Sequence, residues 1–356
     1  MSPRAAPAKS DEPAPLGPAE ALRRIAYLLE RDGAETYKVR AFRRAAASVD
    51  AVERAELERL ASSGSLKSLP SVGDTTAKVI AEAATGKVPA YLQQLEAADV
   101  VALSPEALDL RAALRGDCHS HSDWSDGGSP ISEMAATAAG LGHDFLALTD
   151  HSPRLTVANG LSADRLREQL RVVAEVNEAL APFRLLSGIE VDILEDGSLD
   201  QDEELLSQLD VVVASVHSKL RMDSPEMTRR MLRAVANPHC DILGHCTGRL
   251  ITGKGREPSH FDAAAVFEAC AASGTAVEIN SRPERRDPPE ELLRLAVEFG
   301  CVFSIDTDAH APGQLEWLGL GCEQAVQAGV ATGSVVNSWP LERLLKWTAG
   351  HGRKGA

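Results

Sequence analysis

The chain has 356 residues, of which 44% are hydrophobic and 25% charged, and its formal net charge is −15. That length calls for one large domain and a smaller one, and that composition belongs to a globular fold rather than a disordered or fibrous chain. No apolar run is long enough to span a bilayer, the start "MSPRAAPAKSDEPAPLGPAE" lacks an apolar export core, and the six cysteines form no CxxC pair. These features exclude a membrane protein and a disulfide scaffold, and the reducing cytoplasm is the expected location.

Residues 1–17 read as a disordered Pro/Ala tail. From 18 to 98 the chain reads as an all-helical unit. "AEALRRIAYLLERDG" has apolar residues at helical spacing and stops at Gly33, and "KVRAFRRAAASVDAV" follows with clustered bases. In "LPSVGDTTAKVIAEAATG", residues 69–86, a tight turn at Gly73 precedes a helix whose free N–H groups suit a backbone phosphate. Lys38, Arg40, Arg43, Arg44 and Lys78 accompany that turn. Each alone is a solvated helix charge; beside the turn they are the expected DNA-binding residues. Residues 1–98 hold 14 Lys and Arg against 13 Asp and Glu, whereas the remainder holds 23 against 39. The acidic excess therefore lies in the second part, and an acidic domain can still receive a phosphate where bound cations are its largest local charges.

Beyond a linker over 99–115, short β-rich apolar runs alternate with helical segments, which is the pattern of parallel βα units. The runs share the way they end. "FLALTDH" finishes at Asp150 and His151, "RLLSGIE" at Glu190, "VVVASVH" at His217, "DILGH" at His245, "AVEIN" at Asn280 and "CVFSIDTDAH" at Asp308 and His310. With "GDCHSH" this predicts about seven strands, and in a βα barrel such ends converge on the face where active sites lie.

His119 and His121, two apart on one strand, point the same way and can reach one metal ion. With Asp126, His151, Glu190, His217, His245, Asp308 and His310 they supply nine nitrogen or oxygen ligands, too many for one ion and suited to a cluster of two or three. A single histidine at a strand end is more often a hydrogen-bonded core residue; that reading fails for the whole set. His143, His239, His260 and His351 follow no strand run and are read as structural or surface residues.

The motifs "HSHSDWSDG", "TDHS", "GIEVDI", "SVHS", "ILGHCTGRL", "EIN" and "TDAH", in this order, resemble the metal motifs of the PHP (polymerase and histidinol phosphatase) family over about residues 116–340. The stretch "SVHSKLRMDSPEMTRRMLRAVANPHCDILGHCTGRLITG" most resembles the PHP domain of bacterial family X DNA polymerases. "YKVRAFRRAAASV" with "LPSVGDTTAKVIAEAATG" is similar to the helix-hairpin-helix domain that opens those polymerases. The resemblance implies an α/β fold, a distorted (β/α)7 barrel over 116–348 behind a small all-α domain. It also implies a cluster of two to three divalent ions, manganese or zinc with iron as an alternative, and phosphoesterase activity, which in the polymerases is a 3′–5′ exonuclease. Asp308 and His310 are then candidate catalytic groups. Arg249, Arg282, Arg285 and Lys219 are candidate phosphate ligands, with Arg249 the foremost.

The departures from the family carry as much information. Between the helical unit and the barrel there is no room for a polymerase palm, so nucleotidyl transfer is not expected. Ser71 stands where the hairpin usually has its first glycine. Val79 falls where lyase-active relatives carry a Schiff-base lysine, and Cys246 follows His245 where relatives often carry proline. The expected function is hydrolysis at DNA 3′ ends, as exonuclease or 3′-phosphatase, at gaps, nicks or blocked termini and away from membranes. The alternative is a small-molecule phosphatase of the histidinol-phosphate type, which has no need of residues 18–98.

Overall fold

The computed structural model describes residues 16–98 and 101–351. The expected tail therefore lies, up to residue 15, outside the described residues. The chain divides into two compact units, 1–100 and 101–356. No described helix is long and apolar enough to cross a membrane.

The described residues of the first unit form five α-helices, α1 (Pro18–Arg31), α2 (Thr36–Asp50), α3 (Arg54–Ser62), α4 (Asp74–Ala84) and α5 (Ala90–Glu96). Their apolar stripes meet in one core that includes Leu22, Ile25, Phe42, Ile80 and Leu92. The turn before α4 is built as the sequence suggests, with the Gly73 N–H donating to Thr76 Oγ1 at 2.9 Å. Ser71 occupies the left-handed region at φ 59°, a conformation that glycine adopts without cost and serine does not.

The second unit is a sheet of seven parallel strands in the order β1 to β7, formed by Gly116–Asp117, Phe145–Leu148, Arg184–Asp192, Val211–Ser215, Ile242–Leu243, Ala276–Asn280 and Phe303–Asp306. Every residue of β2, β4, β6 and β7 is buried, as parallel strands covered on both faces require. The sheet nearly closes on itself. A parallel bridge joins Ser120 to Ala309, and the His121 N–H donates to the Ala309 carbonyl at 2.8 Å. Helices α7 (Ile131–Gly140), α8 (Ala163–Leu180), α9 (Glu203–Leu206), α10 (Ser224–Val235), α11 (Ala263–Ser273), α12 (Glu290–Glu298) and α13 (Leu318–Ala328) connect or follow the strands, and α14 (Leu341–His351) ends the described chain.

The segment expected as a linker holds a helix instead, α6 (Pro105–Ala113). Ser104 caps it, its hydroxyl accepting from the Ala107 N–H at 3.2 Å, and Pro105 opens it with its φ already set. Ala107, Leu110 and Leu114 join the barrel core, and Ser104 donates to Glu323 on α13 at 2.9 Å. The compact unit that holds the barrel spans 101–356 and includes this helix. All six cysteines are buried free thiols.

Candidate metal centre

Glu190 lies within β3 and Asp126 in the turn before α7, whereas most of the site residues stand at or just after the end of an apolar strand, where the chain turns over the barrel mouth. Gly244 is required there, because a Cβ on it would collide with Ser215 Oγ and lie 2.7 Å from Val213 Cγ1. Its absence lets β4 and β5 bring His217 and His245 to one point. Asp308 takes a left-handed backbone, φ 52°, which turns its carboxylate back over the sheet.

The nine expected ligands converge. Glu190 is the hub: its carboxylate oxygens lie 3.4 Å from His119 Nε2, 3.6 Å from His121 Nε2, 2.8 Å from His151 Nδ1, 3.2 Å from His217 Nε2 and 2.9 Å from His245 Nε2. Asp308 Oδ1 lies 3.3 Å from His121 Nε2, and Asp126 Oδ1 lies 3.5 Å from His151 Nε2 and 3.3 Å from His310 Nε2. Three overlapping groups have their ligand atoms within 4.8 Å of one another: His121, Asp126, His151 and His310; His119, His121 and Glu190; His151, Glu190 and His217.

The chemistry of this set fits bound cations. His121 Nδ1, both ring nitrogens of His217, His245 Nδ1 and Glu190 Oε2 are buried without a hydrogen-bond partner among the described residues. Leaving such groups unsatisfied costs roughly 1–3 kcal/mol each, a penalty that metal ligation removes. Protons alone do not satisfy the cluster. Burial, with His310 and His151 beside it, pushes His121 down to about 3, whereas Glu190 and Asp192 overcome burial to hold His217 up to about 9. Burial also opposes charge on Glu190, yet His217, His151 and His119 hold its carboxyl well below the usual range. Ionised carboxylates around imidazoles that cannot all be protonated together make a site for multivalent positive charge.

Two acids outside the expected set orient the rings. Glu278, fully buried on β6, lies 2.6 Å from His119 Nδ1 and accepts from the His245 N–H. Asp192 accepts from the backbone N–H of His217 at 3.1 Å, which fixes the chain there, and its Oδ1 lies 3.6 Å from the ring Nδ1. Glu278 lies two residues before Asn280 in "AVEIN", and alternation along a strand turns both to one face. An acid inside an otherwise apolar strand is the signal that identifies it.

The expected phosphate ligands divide. Arg249 is committed to backbone, its Nε donating to the Arg285 carbonyl at 3.0 Å and its Nη2 to that of Arg286. These bonds brace that loop and engage two of the three guanidinium nitrogens. Arg282 Nη1 lies 3.5 Å from Asp308 Oδ1 and 3.0 Å from His310 Nδ1. Arg285 Nε lies 3.2 Å from Asp308 Oδ2, and its Nε and Nη1 are buried without a hydrogen-bond acceptor among the described residues. Lys219 is exposed on the loop after β4. Cys246 is buried, its sulfur 4.0 Å from Asp287 Oδ1.

The helical unit divides in the same way. Lys38, Arg40 and Arg44 are exposed, as is Lys78, whose Nζ is 3.9 Å from Glu82. Arg43 is not a free base: its Nε lies 2.7 Å from Oε1 of Glu30, which is 3% exposed. Val79 is buried, so that position offers no amine.

Comparison with known proteins agrees with this geometry. Residues 17–88 match the helix-hairpin-helix domain family and residues 117–282 the PHP domain family. A probable phosphatase of Acetivibrio thermocellus is 31% identical over 203 residues, 54% of this chain and 78% of that protein. The chain belongs to the PHP family. Its barrel is a phosphoesterase domain, and its donor set is that of a divalent-metal cluster. The DNA polymerase/3′-5′ exonuclease PolX of Bacillus subtilis is 39% identical over 230 residues, 64% of this PHP chain, which spans only 40% of the polymerase. A histidinol phosphate phosphatase from Lactococcus lactis, solved with zinc, L-histidinol and phosphate, is 18% identical with a TM-score of 0.45, covering 61% of this chain and 94% of that one.

Proposed function

We propose that this PHP chain is a metal-dependent hydrolase of DNA 3′ ends, a 3′–5′ exonuclease, a 3′-phosphatase or both, acting at gaps, nicks or blocked termini in the reducing cytoplasm. The observation that carries this reading is the presence of a helix-hairpin-helix domain and a PHP barrel in one chain. A small-molecule phosphatase has no use for the first.

His119, His121, Asp126, His151, Glu190, His217, His245, Asp308 and His310 would hold two or three ions, with manganese or zinc suited to imidazole and carboxylate donors. Such ions polarise a phosphoryl oxygen and make water a nucleophile at neutral pH. The protein's own groups prepare the site. Glu278 would accept a hydrogen bond from His119 Nδ1–H, which leaves Nε2 as the ligand atom. His310 Nδ1 lies 2.8 Å from the Asp308 carbonyl and 3.0 Å from Arg282 Nη1, which hold the ring with Nε2 toward Asp126, and His310 and Asp308 remain the candidate groups for relaying a proton. Burial opposes the charge of Asp308, but Arg282 and His119 hold its carboxyl well below the usual range, and it remains an anion. Arg285, ion-paired to Asp308 through Nε and with a buried Nη1 that has no hydrogen-bond acceptor among the described residues, would take a substrate oxygen. Lys38, Arg40, Arg44 and the Gly73 turn would deliver the DNA.

The test uses protein stripped by chelator and reloaded with manganese. It receives 5′-labelled gapped DNA ending in a 3′-hydroxyl or 3′-phosphate, with histidinol phosphate in parallel. Shortening or dephosphorylation of the DNA is expected. Turnover of histidinol phosphate with the DNA untouched would favour the small-molecule reading.

A further inference from the structure

We infer that the rim formed by the loops after β4, β5 and β6 is a track for the sugar-phosphate backbone of the DNA strand entering the metal centre. The inference rests on the proposed DNA reading and adds a strand-binding surface on the barrel itself, separate from the helical unit.

The barrel mouth is electrically polarised. The loops after β1, β2 and β3 carry exposed Asp123, Glu195, Asp196 and Asp202, with Arg154 as their one Lys or Arg. The next three loops reverse the sign. Lys219, Arg221, Lys254 and Arg286 are all exposed there and have no ion-pair partner among the described residues, against unpaired Asp223, Glu257 and Asp262. In a part of the chain where acids outnumber bases 39 to 23, this sector is an exception, and its field draws a polyanion to one side of the mouth. A single phosphate would occupy only the buried cluster. A strand of successive phosphates extends past it, onto the rim.

Backbone strain points to the same residues independently. Lys219 and Arg286 sit at φ 54° and 45°, in the left-handed region that glycine adopts freely. Long side chains retained at such positions are characteristic of functional sites. The rim is also preorganised. The Ser259 hydroxyl donates to the Leu220 carbonyl at 2.8 Å, joining the second loop to the first. The Ile251 N–H donates to the Glu284 carbonyl at 2.8 Å, and the Thr247 N–H to Asp287 Oδ1 at 3.1 Å, joining it to the third. Gly248 allows the close approach, since a Cβ there would lie 2.8 Å from Leu220 Cδ2. Lys254 stands at the tip of a hairpin closed by the Leu250–Arg256 bridge. Fixed loops carrying unpaired cations lose little entropy on meeting phosphate.

The experiment combines K219G, R221A, K254A and R286G in the full chain, with and without K38A, R40A and R44A to remove the helical unit's contribution. Binding of a fluorescent single-stranded DNA of about 12 nucleotides, protected by a phosphorothioate 3′ end, is titrated across salt concentrations. Kd is expected to rise about tenfold and the salt slope to fall by about 2 to 3, while Tm stays level or rises because two left-handed positions become glycine. A Kd within about twofold and an unchanged slope, in both backgrounds, would overturn the inference. Should the combined variant melt lower, R221A with K254A decides the matter by the same criterion, with about half the slope change. Hydrolysis of unprotected DNA by the unaltered chain is the separate arm. Its absence alongside a weakened rim variant would remove the proposed reaction and leave the surface, and intact hydrolysis with unchanged binding would do the reverse.

Discussion

Glu278 Oε1 lies 2.6 Å from His119 Nδ1, both side chains fully buried. The carboxylate thereby fixes which nitrogen of His119 faces Glu190, at 3.4 Å. Glu278→Ala should weaken metal affinity about 10- to 100-fold. Excess metal should restore turnover without restoring affinity. Metal titration with a competing chelator checks this, and wild-type affinity in the variant would contradict it.

Burial, with Arg111 3.1 Å from its Nε2, holds His143 down to about 4, whereas an unfolded histidine titrates near 6.5. Between those values the unfolded chain binds a proton that the folded chain refuses. The stability due to neutral His143 is therefore complete above about pH 6.5 and lost as pH falls toward 4, by at most about 3 kcal/mol. His143→Gln should flatten this dependence. Urea unfolding at neutral pH and near pH 5 measures it, and parallel profiles for the two proteins would count against the assignment.

Arg43 and Arg40, three apart on α2, should behave oppositely. Arg43→Ala leaves the buried Glu30 without its 2.7 Å partner and should cost about 2–3 kcal/mol of stability. Arg40→Ala, at an exposed position, should leave stability within about 0.5 kcal/mol and weaken DNA binding. Equal stability of the two variants in denaturant would refute the distinction.

Ser71→Gly should stabilise the helical unit by about 1 kcal/mol, because the φ of 59° is strained for serine and not for glycine. A lower unfolding midpoint for the variant would show that the serine hydroxyl outweighs the backbone strain.

The seven strands and the convergence of their ends are legible because parallel strands buried on both faces read as apolar runs, and the first polar residue after each run stands at the mouth. Eight of the nine metal candidates lie at or just after such run ends, and Asp126 comes instead from the acid-rich turn that follows His119 and His121. Glu278 escapes that rule because it precedes the end of its run, although its i, i+2 relation to Asn280 puts it on the same face. Composition groups Arg43 with its basic neighbours. The row Val39, Arg43, Ala46 along α2, whose outer members are buried, separates it from them. Arg249 matches a phosphate clamp by type and position, but the carbonyls of residues 285 and 286 that engage it are more than thirty residues away in sequence. Helix α6 carries Glu106, Asp109 and Arg111 among small apolar residues and two leucines. Ser104 and Pro105 mark its start, and only packing against α13 decides it.

Glu190, in contact with five histidines, is the residue on which a cluster of metal ions would depend most. Elemental analysis of the purified, manganese-loaded chain and of Glu190→Ala, with Tm measured beside it, tests this most directly. The expected result is two to three ions per unaltered chain and fewer than about one in the variant, with hydrolysis lost and the barrel still folded. Equal metal content in a folded variant that still hydrolyses phosphoesters would contradict it.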